Sequence, residues 1–148
     1  MKTLIIYESI YHHNTEKIAK LMADISGATL IRAQDMHAND LTDYDLIGFG
    51  SGIYNQRHHI SLFELVKRLK PQEHKKAFVF STNTFGIKML HKPLKEQLTL
   101  KGFEMIGEFA CRGYFSFFNI IPINKSRPNA QDLEKAKEFI KEIIGKVN

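Results

Sequence analysis

Leu4-Ile5-Ile6-Tyr7-Glu8-Ser9-Ile10-Tyr11-His12-His13-Asn14-Thr15-Glu16-Lys17-Ile18 is the stretch whose reading decides the fold. Residues 4–7 are apolar and give way at once to the polar run 8–15. Beyond it, Ile18, Leu21, Met22 and Ile25 recur at i, i+3, i+4 and i+7, the spacing of one helical face. The pattern predicts a buried strand that turns directly into a helix. Asn14 suits the N-cap, and Glu16 suits the positive end of the helix dipole. The first amides of a helix have no backbone partner, so such a turn makes an anion site without needing a lysine. Ser9, Asn14 and Thr15 bring side-chain donors to the same place.

The rest of the chain repeats the theme. Thr29–Ile31 reads as a short edge strand, and the polar residues 34–43 read as loop. Residues 45–50 are near-continuously apolar, as in a strand buried on both faces. Residues 51–55 then read as a polar, glycine-containing loop. Leu62, Leu65, Val66 and Leu69 mark a second helix, ended by Pro71. Ala77–Phe80 is another buried strand, followed by the polar loop 81–86. Pro93 opens a third helix with Leu90, Leu94 and Leu98 on one face, and Gly102 closes it. Residues 105–110 form a fifth strand, and residues 111–127 a long connection. Asn129 and Asp132 resemble a capping box for a last helix, with Leu133, Ala136, Ile140, Ile143, Ile144 and Val147 as its stripe. Alternating strands and helices imply a parallel sheet covered on both faces. The expectation is one domain over residues 1–148, an α/β three-layer sandwich around a five-stranded parallel sheet in the order 2-1-3-4-5. In that order the loops after strands one, three and four are neighbours and converge on one crevice, where such sheets bind ligands.

Composition fits this reading. The 148 residues are 43% hydrophobic and 25% charged, ordinary usage for a packed domain. No apolar run is long enough to span a bilayer, and the N-terminal pattern predicts no secretory leader. A single cysteine, Cys111, excludes an internal disulfide framework and suits the cytoplasm. Charge is uneven: residues 1–55 carry four Lys/Arg against seven Asp/Glu, whereas residues 56–148 carry 17 against nine. The basic half suits an acidic partner. No zinc pattern, recognition helix or basic-aromatic RNA motif accompanies it, so nucleic acid is not the expected partner.

The chain resembles the flavodoxin family along its whole length. The stretch 4–19, with Ser9 and Asn14-Thr15-Glu16, resembles that family's FMN phosphate loop. Residues 44–54 resemble its third strand and first flavin-ring loop, and residues 80–86 its fourth strand and second ring loop. Residues 124–129 resemble a run found before the last helix in some members. The resemblance implies the short type of chain, without a long insertion in strand five, carrying FMN as a one- or two-electron relay. It implies that Ser9, Ile10, His12, His13, Asn14 and Thr15 hold the phosphate end. Ser51, Gly52, Ile53, Tyr54 and Asn55 would line the ring on one side, and Thr82, Asn83, Thr84, Phe85 and Gly86 on the other. Two departures stand out. His13 occupies the place of a glycine, and the chain has no tryptophan to stack on the ring, leaving Tyr54 and Phe85 as the aromatics of the ring loops.

No catalytic triad, paired carboxylates or metal-ligand cluster is evident in the sequence, so any chemistry falls to a cofactor. An electron carrier with a redox partner protein is the first expectation. Residues 1–5 and 58–67 also resemble flavodoxin-type protoporphyrinogen oxidases, which keeps an FMN-dependent reductase or oxidase open as an alternative. A flavin-free binding module of the same fold is the third. His58 and His59 read as solvated residues at a helix start, Cys111 as a buried filler, and Lys125 and Arg127 as surface charge.

Overall fold

The strands are short apolar runs whose alternate residues serve two different cores, as period-2 geometry requires. In β1 (Thr3–Glu8), Leu4 and Ile6 pack into one core and Ile5 and Tyr7 into the other. The computed structural model describes residues 1–10, 12–37, 41–117 and 121–148, and for residues 115–117 and 121 the backbone alone. Tyr11 of the first loop, residues 38–40 of the predicted 34–43 loop and residues 118–120 of the long connection lie outside the described residues.

Five parallel strands form the sheet: β2 (Thr29–Arg32), β1, β3 (Leu46–Tyr54), β5 (Lys75–Asn83) and β6 (Phe103–Arg112), side by side in that order. Counting the parallel strands alone, this is the expected order 2-1-3-4-5, with the polar-flanked β2 at the edge. A two-residue β4 (Arg57–His58) folds back antiparallel onto the end of β3. Helices α1 (Asn14–Ser26) and α4 (Ala130–Val147) cover one face, burying Ile18, Met22, Ala136, Ile140 and Ile143 against Ile5, Tyr7, Phe78 and Phe80. Helices α2 (Ile60–Arg68) and α3 (Lys92–Leu100) cover the other, burying Leu62, Leu65, Leu94 and Leu98 against Leu4, Ile6, Phe49 and Val79. Between β2 and β3 the described residues hold only a 3-10 turn, Ala33–Asp35.

Two glycines set how closely β3 and β5 pack. Gly48 pairs with Phe78 and Gly50 with Phe80, and each ring lies over its partner glycine. A Cβ at Gly48 would sit 2.3 Å from the Phe78 ring, and one at Gly50 2.2 Å from the Phe80 ring. Each phenylalanine thus fills the space its neighbour vacates.

Four expectations need correction. Residues 51–54 are not loop: β3 continues to Tyr54 and turns through Asn55 and Gln56, both at positive φ (50° and 63°), into β4. Residues 81–83 likewise extend β5 as strand. Asn14 is not the N-cap of α1. That position belongs to His13, in the left-handed region at φ 55°, and Asn14 turns away to donate to the Tyr114 carbonyl at 2.6 Å. The connection 111–127 is not uniformly irregular: β6 runs to Arg112, and β7 (Phe115–Phe117) pairs antiparallel with β8 (Ile121–Ile123). The capping box of α4 forms with both its bonds, Asp132 N–H to Asn129 Oδ1 (3.0 Å) and Asn129 N–H to Asp132 Oδ2 (2.8 Å).

Candidate functional site

The parallel register aligns the ends of the central strands, pairing Glu8 with Ser51, Gly52 with Thr82, and Asn83 with Arg112. The loops that leave these strands therefore open on one edge. A buried hydrogen bond fastens α1 to that edge, because the Thr15 and Thr82 hydroxyls lie 2.8 Å apart. The N-terminus of α1 is thus held beside the end of β5, sixty-seven residues away in the chain.

The first loop is built under backbone constraint. His12 and His13 both have positive φ, at 44° and 55°. Consecutive non-glycine residues in the left-handed region are uncommon and persist where the surroundings hold them. Here the surroundings are visible. The His12 ring packs on Tyr114, with centroids 3.7 Å apart, and His13 Nδ1 lies 3.0 Å from Glu16 Oε2. Ser9 Oγ accepts the Glu16 N–H at 3.2 Å, satisfying one first-turn amide. Glu16 sits in the first turn where the dipole favours it. Its partial burial acts the other way, but Lys20 and His13 hold its carboxyl below the usual range. Glu8 places a buried carboxylate at the base of the loop, where it would repel an anion. Arg32 cancels it, with Nη2 2.7 Å from Oε1. Asn14 Oδ1 is buried with no partner, an acceptor facing no donor of the protein. Ile10 is partly exposed at the loop's outer side.

On the second side, Ser51 is fully buried; its hydroxyl donates to the Gly52 carbonyl and accepts the His59 N–H. Tyr54 leans back over Gly52, where a Cβ would meet its hydroxyl at 2.8 Å, and packs edge-on against His59. Ile53 is half-buried and pairs with His58, while Asn55 stands exposed at the turn. On the third side, Asn83 binds its own loop: Oδ1 accepts the Phe85 and Ile87 N–H groups at 3.2 and 3.1 Å. The Thr84 carbonyl accepts from Asn124 Nδ2 at 2.8 Å, and Gly86, at φ 65°, lies against Arg112. Phe85 is 70% exposed, an uncommon placement for so large an apolar ring.

Sequence reasoning missed two groups. One is the corner Gly113-Tyr114, which meets the first loop directly: a Cβ at Gly113 would lie 2.6 Å from Asn14 Nδ2. Its only signal was a Gly-Tyr step after the fifth strand. The other is a buried polar cluster beneath the third side: Ser81, His58 and His91. His58 is not a solvated residue but is 1% exposed, with Nε2 donating to the Phe80 carbonyl at 2.9 Å. Burial, reinforced by nearby His91, lowers its pKa to about 3. His59 does cap α2, with Nδ1 accepting the Ser61 N–H. Arg127, read as free surface charge, pairs bidentately with Asp132. Cys111 is a buried filler in β6 whose thiol burial pushes up to about 12.

Among the described residues no His, Cys, Asp or Glu group is placed to hold a metal ion, and no helix is long and apolar enough to cross a membrane. What remains is an open parallel α/β sheet whose central strand ends share one edge with the N-terminus of α1. That defines a doubly wound α/β protein, a class of fold in which ligands bind at the carboxyl ends of the strands. Residues 4–108 match the family model of the flavodoxin domain, and the chain belongs to that family. An uncharacterised protein of Methanocaldococcus jannaschii is 46% identical over 149 residues, covering 97% of this chain and 99% of that protein. Two solved structures share the fold at lower identity. A flavodoxin from the domain Archaea superposes with a TM-score of 0.73 at 19% identity, and oxidised Flavodoxin 2 from Bacillus cereus with 0.72 at 22%; each match covers 99% of both chains.

Proposed function

We propose that residues 1–148 serve as one FMN-binding domain that relays electrons to a redox partner protein in the cytoplasm. The observation that supports this reading is the Thr15–Thr82 hydrogen bond, which holds the α1 N-terminus beside the end of β5. The residues fit the cofactor's chemistry. A phosphate suits the first amides of α1, and the one buried carboxylate beside them is already neutralised by Arg32. The buried, unpartnered Asn14 Oδ1 suits a hydroxyl donor such as the ribityl chain offers. Ser9, Ile10, His12, His13, Asn14 and Thr15 would hold the phosphate end. Gly52, Ile53, Tyr54 and Asn55 would line the ring on one side, facing Thr84, Phe85 and Gly86, with Ser51, Thr82 and Asn83 supporting those loops from beneath. Bound FMN supplies the electron-accepting and electron-donating chemistry; the chain binds, orients and tunes it.

The partner we favour is acidic. Arg57, Lys88, Arg112 and Lys125 are exposed in or next to the loops and strand ends of this edge, and residues 74–95 and 109–131 contain no Asp or Glu. The reading is tested by titrating the purified protein with FMN, riboflavin and FAD, following flavin fluorescence. FMN binding tighter than riboflavin is expected. Equal affinity for the two would mean that the first loop contributes nothing, and no binding of either would end the proposal.

A further inference from the structure

Beneath the 83–87 loop, hydrogen bonds define a row of side chains whose protons all point one way. Asn83 fixes the start. Its Oδ1 accepts from Phe85 and Ile87 N–H, and its Nδ2 donates to the Ile87 carbonyl at 3.1 Å. These backbone partners settle which end of the amide is nitrogen. Nδ2 also donates to Ser81 Oγ at 3.1 Å. Ser81 is fully buried, and its other neighbour is His91 Nε2 at 2.6 Å. Asn83 Nδ2 can only donate, so among the described hydrogen bonds the buried Ser81 proton has one acceptor, His91. Nε2 is therefore the bare nitrogen and Nδ1 carries the hydrogen. Nδ1 faces Glu108 Oε2 at 3.5 Å, longer than a good hydrogen bond, and Lys95 Nζ sits 2.8 Å from the same oxygen. His58 has the opposite tautomer, since a carbonyl only accepts and Nε2 must donate to Phe80. The two rings lie 5.0 Å apart, both buried.

We propose that His91 is a positioning residue for the ring side of the crevice: through the Ser81 hydroxyl it orients the Asn83 amide, and Asn83 holds the backbone of residues 85–87. The neutral ring is essential to this. A cationic His91 would present an N–H to Ser81, and the hydroxyl proton would lose its acceptor. Burial keeps the ring neutral. The loop's shape is thereby set by a histidine on the far side of the sheet edge, touching no ligand itself. The inference rests on the FMN reading only for the second arm of its test.

The first arm needs no cofactor. Amide hydrogen exchange is followed by NMR in the flavin-free protein for wild type, His91→Gln, His91→Leu and Leu98→Ala. Glutamine offers an acceptor near the Nε2 position and leucine none; Leu98→Ala loosens the same helix without touching the row. Exchange at Phe85 and Ile87 is expected to quicken about tenfold in His91→Leu, as for one lost buried hydrogen bond. It should stay near the wild-type rate in the other two. Should His91→Leu fail to fold, Ser81→Ala cuts the same row with a smaller change. The imidazole nitrogen spectrum should show Nε2 bare in His91 and protonated in His58. Unchanged exchange in both cutting variants, or a protonated His91 Nε2 in the neutral ring, overturns the proposal. In the second arm, His91→Leu should weaken FMN and riboflavin by the same factor, because the first loop is untouched. A loss confined to FMN overturns the ring-side assignment. If wild type takes up neither flavin while the amides respond as expected, the FMN reading fails and the positioning role stands.

Discussion

Acidification should destabilise this protein before its carboxylates titrate, and the two buried histidines set the size of the effect. His58 is 1% exposed and His91 fully buried. Burial is the main cause of both shifts, lowering His58 to about 3 and His91 to about 4. Glu108 pulls His91 back upward; Lys95 and Lys88 push it further down. In the unfolded chain both rings titrate near the ordinary value of about 6.5. Between about pH 6.5 and 4 the unfolded state therefore binds protons that the native state refuses. Stability is full above that window and falls as pH drops through it, by at most about 1.4 kcal/mol per pH unit per histidine. From pH 6.5 to pH 5 each ring costs about 1.6 kcal/mol, and the pair about 3, a sizeable share of a typical domain's 5–15 kcal/mol. Asp132, Glu108 and Glu16 are held below their usual values, so their contributions fade only at lower pH. Urea unfolding followed by far-UV circular dichroism at half-unit steps from pH 7 to 5 measures the slope. His91→Gln removes one of the two groups and should lower the slope by about 1 kcal/mol per pH unit between pH 6 and 5. The same slope in wild type and variant would refute the argument.

Three further outcomes follow from the packing and the site. Gly50→Ala places a Cβ 2.2 Å from the Phe80 ring and should cost roughly 1–3 kcal/mol in denaturant unfolding. Thr15→Ala should weaken FMN by roughly 1.5–3 kcal/mol in calorimetry, the worth of a hydrogen bond to a charged group. It should weaken riboflavin far less. Lys125→Gln should lower the reduction potential of bound FMN in a dye-coupled titration, since the lost positive charge favoured the reduced, more negative form. Electron transfer to an acidic partner should slow as salt rises, and an unchanged potential with salt-independent transfer would remove the basic edge from the account.

The fold was legible wherever burial alone dictates residue type. Residues 4–7, 46–50 and 77–80 are apolar on both faces because helices cover both sides, and that pattern has few other solutions. The last helix was legible to the atom, because a capping box is local: Asn129 and Asp132 are three residues apart and need nothing else. The end of β3 was not legible. Its turn, Asn55-Gln56, has both residues at positive φ but contains no glycine, so the usual hairpin signal was missing. The cap of α1 was misassigned for a tertiary reason, since the Tyr114 carbonyl, a hundred residues on, draws the Asn14 side chain away. His58 looked like a surface residue because a polar residue's burial depends on partners elsewhere in the chain, here the Phe80 carbonyl.

The side chains of the polar strand ends do a different job from the one polarity suggested. Ser51, Ser81, Thr82 and Asn83 spend their hydrogen bonds on the protein: on the Gly52 carbonyl and His59 amide, on His91, on Thr15, and on the 85–87 backbone. They fix loop geometry, and the loops then present backbone amides and a few exposed rings such as Phe85. Substitutions at these buried positions should act on a ligand through the shape of the crevice, affecting every ligand that uses the same wall. Substitutions in the first loop should discriminate by charge. That difference separates the scaffold of the site from its contacts, and only the three-dimensional partners of each hydroxyl and amide reveal it.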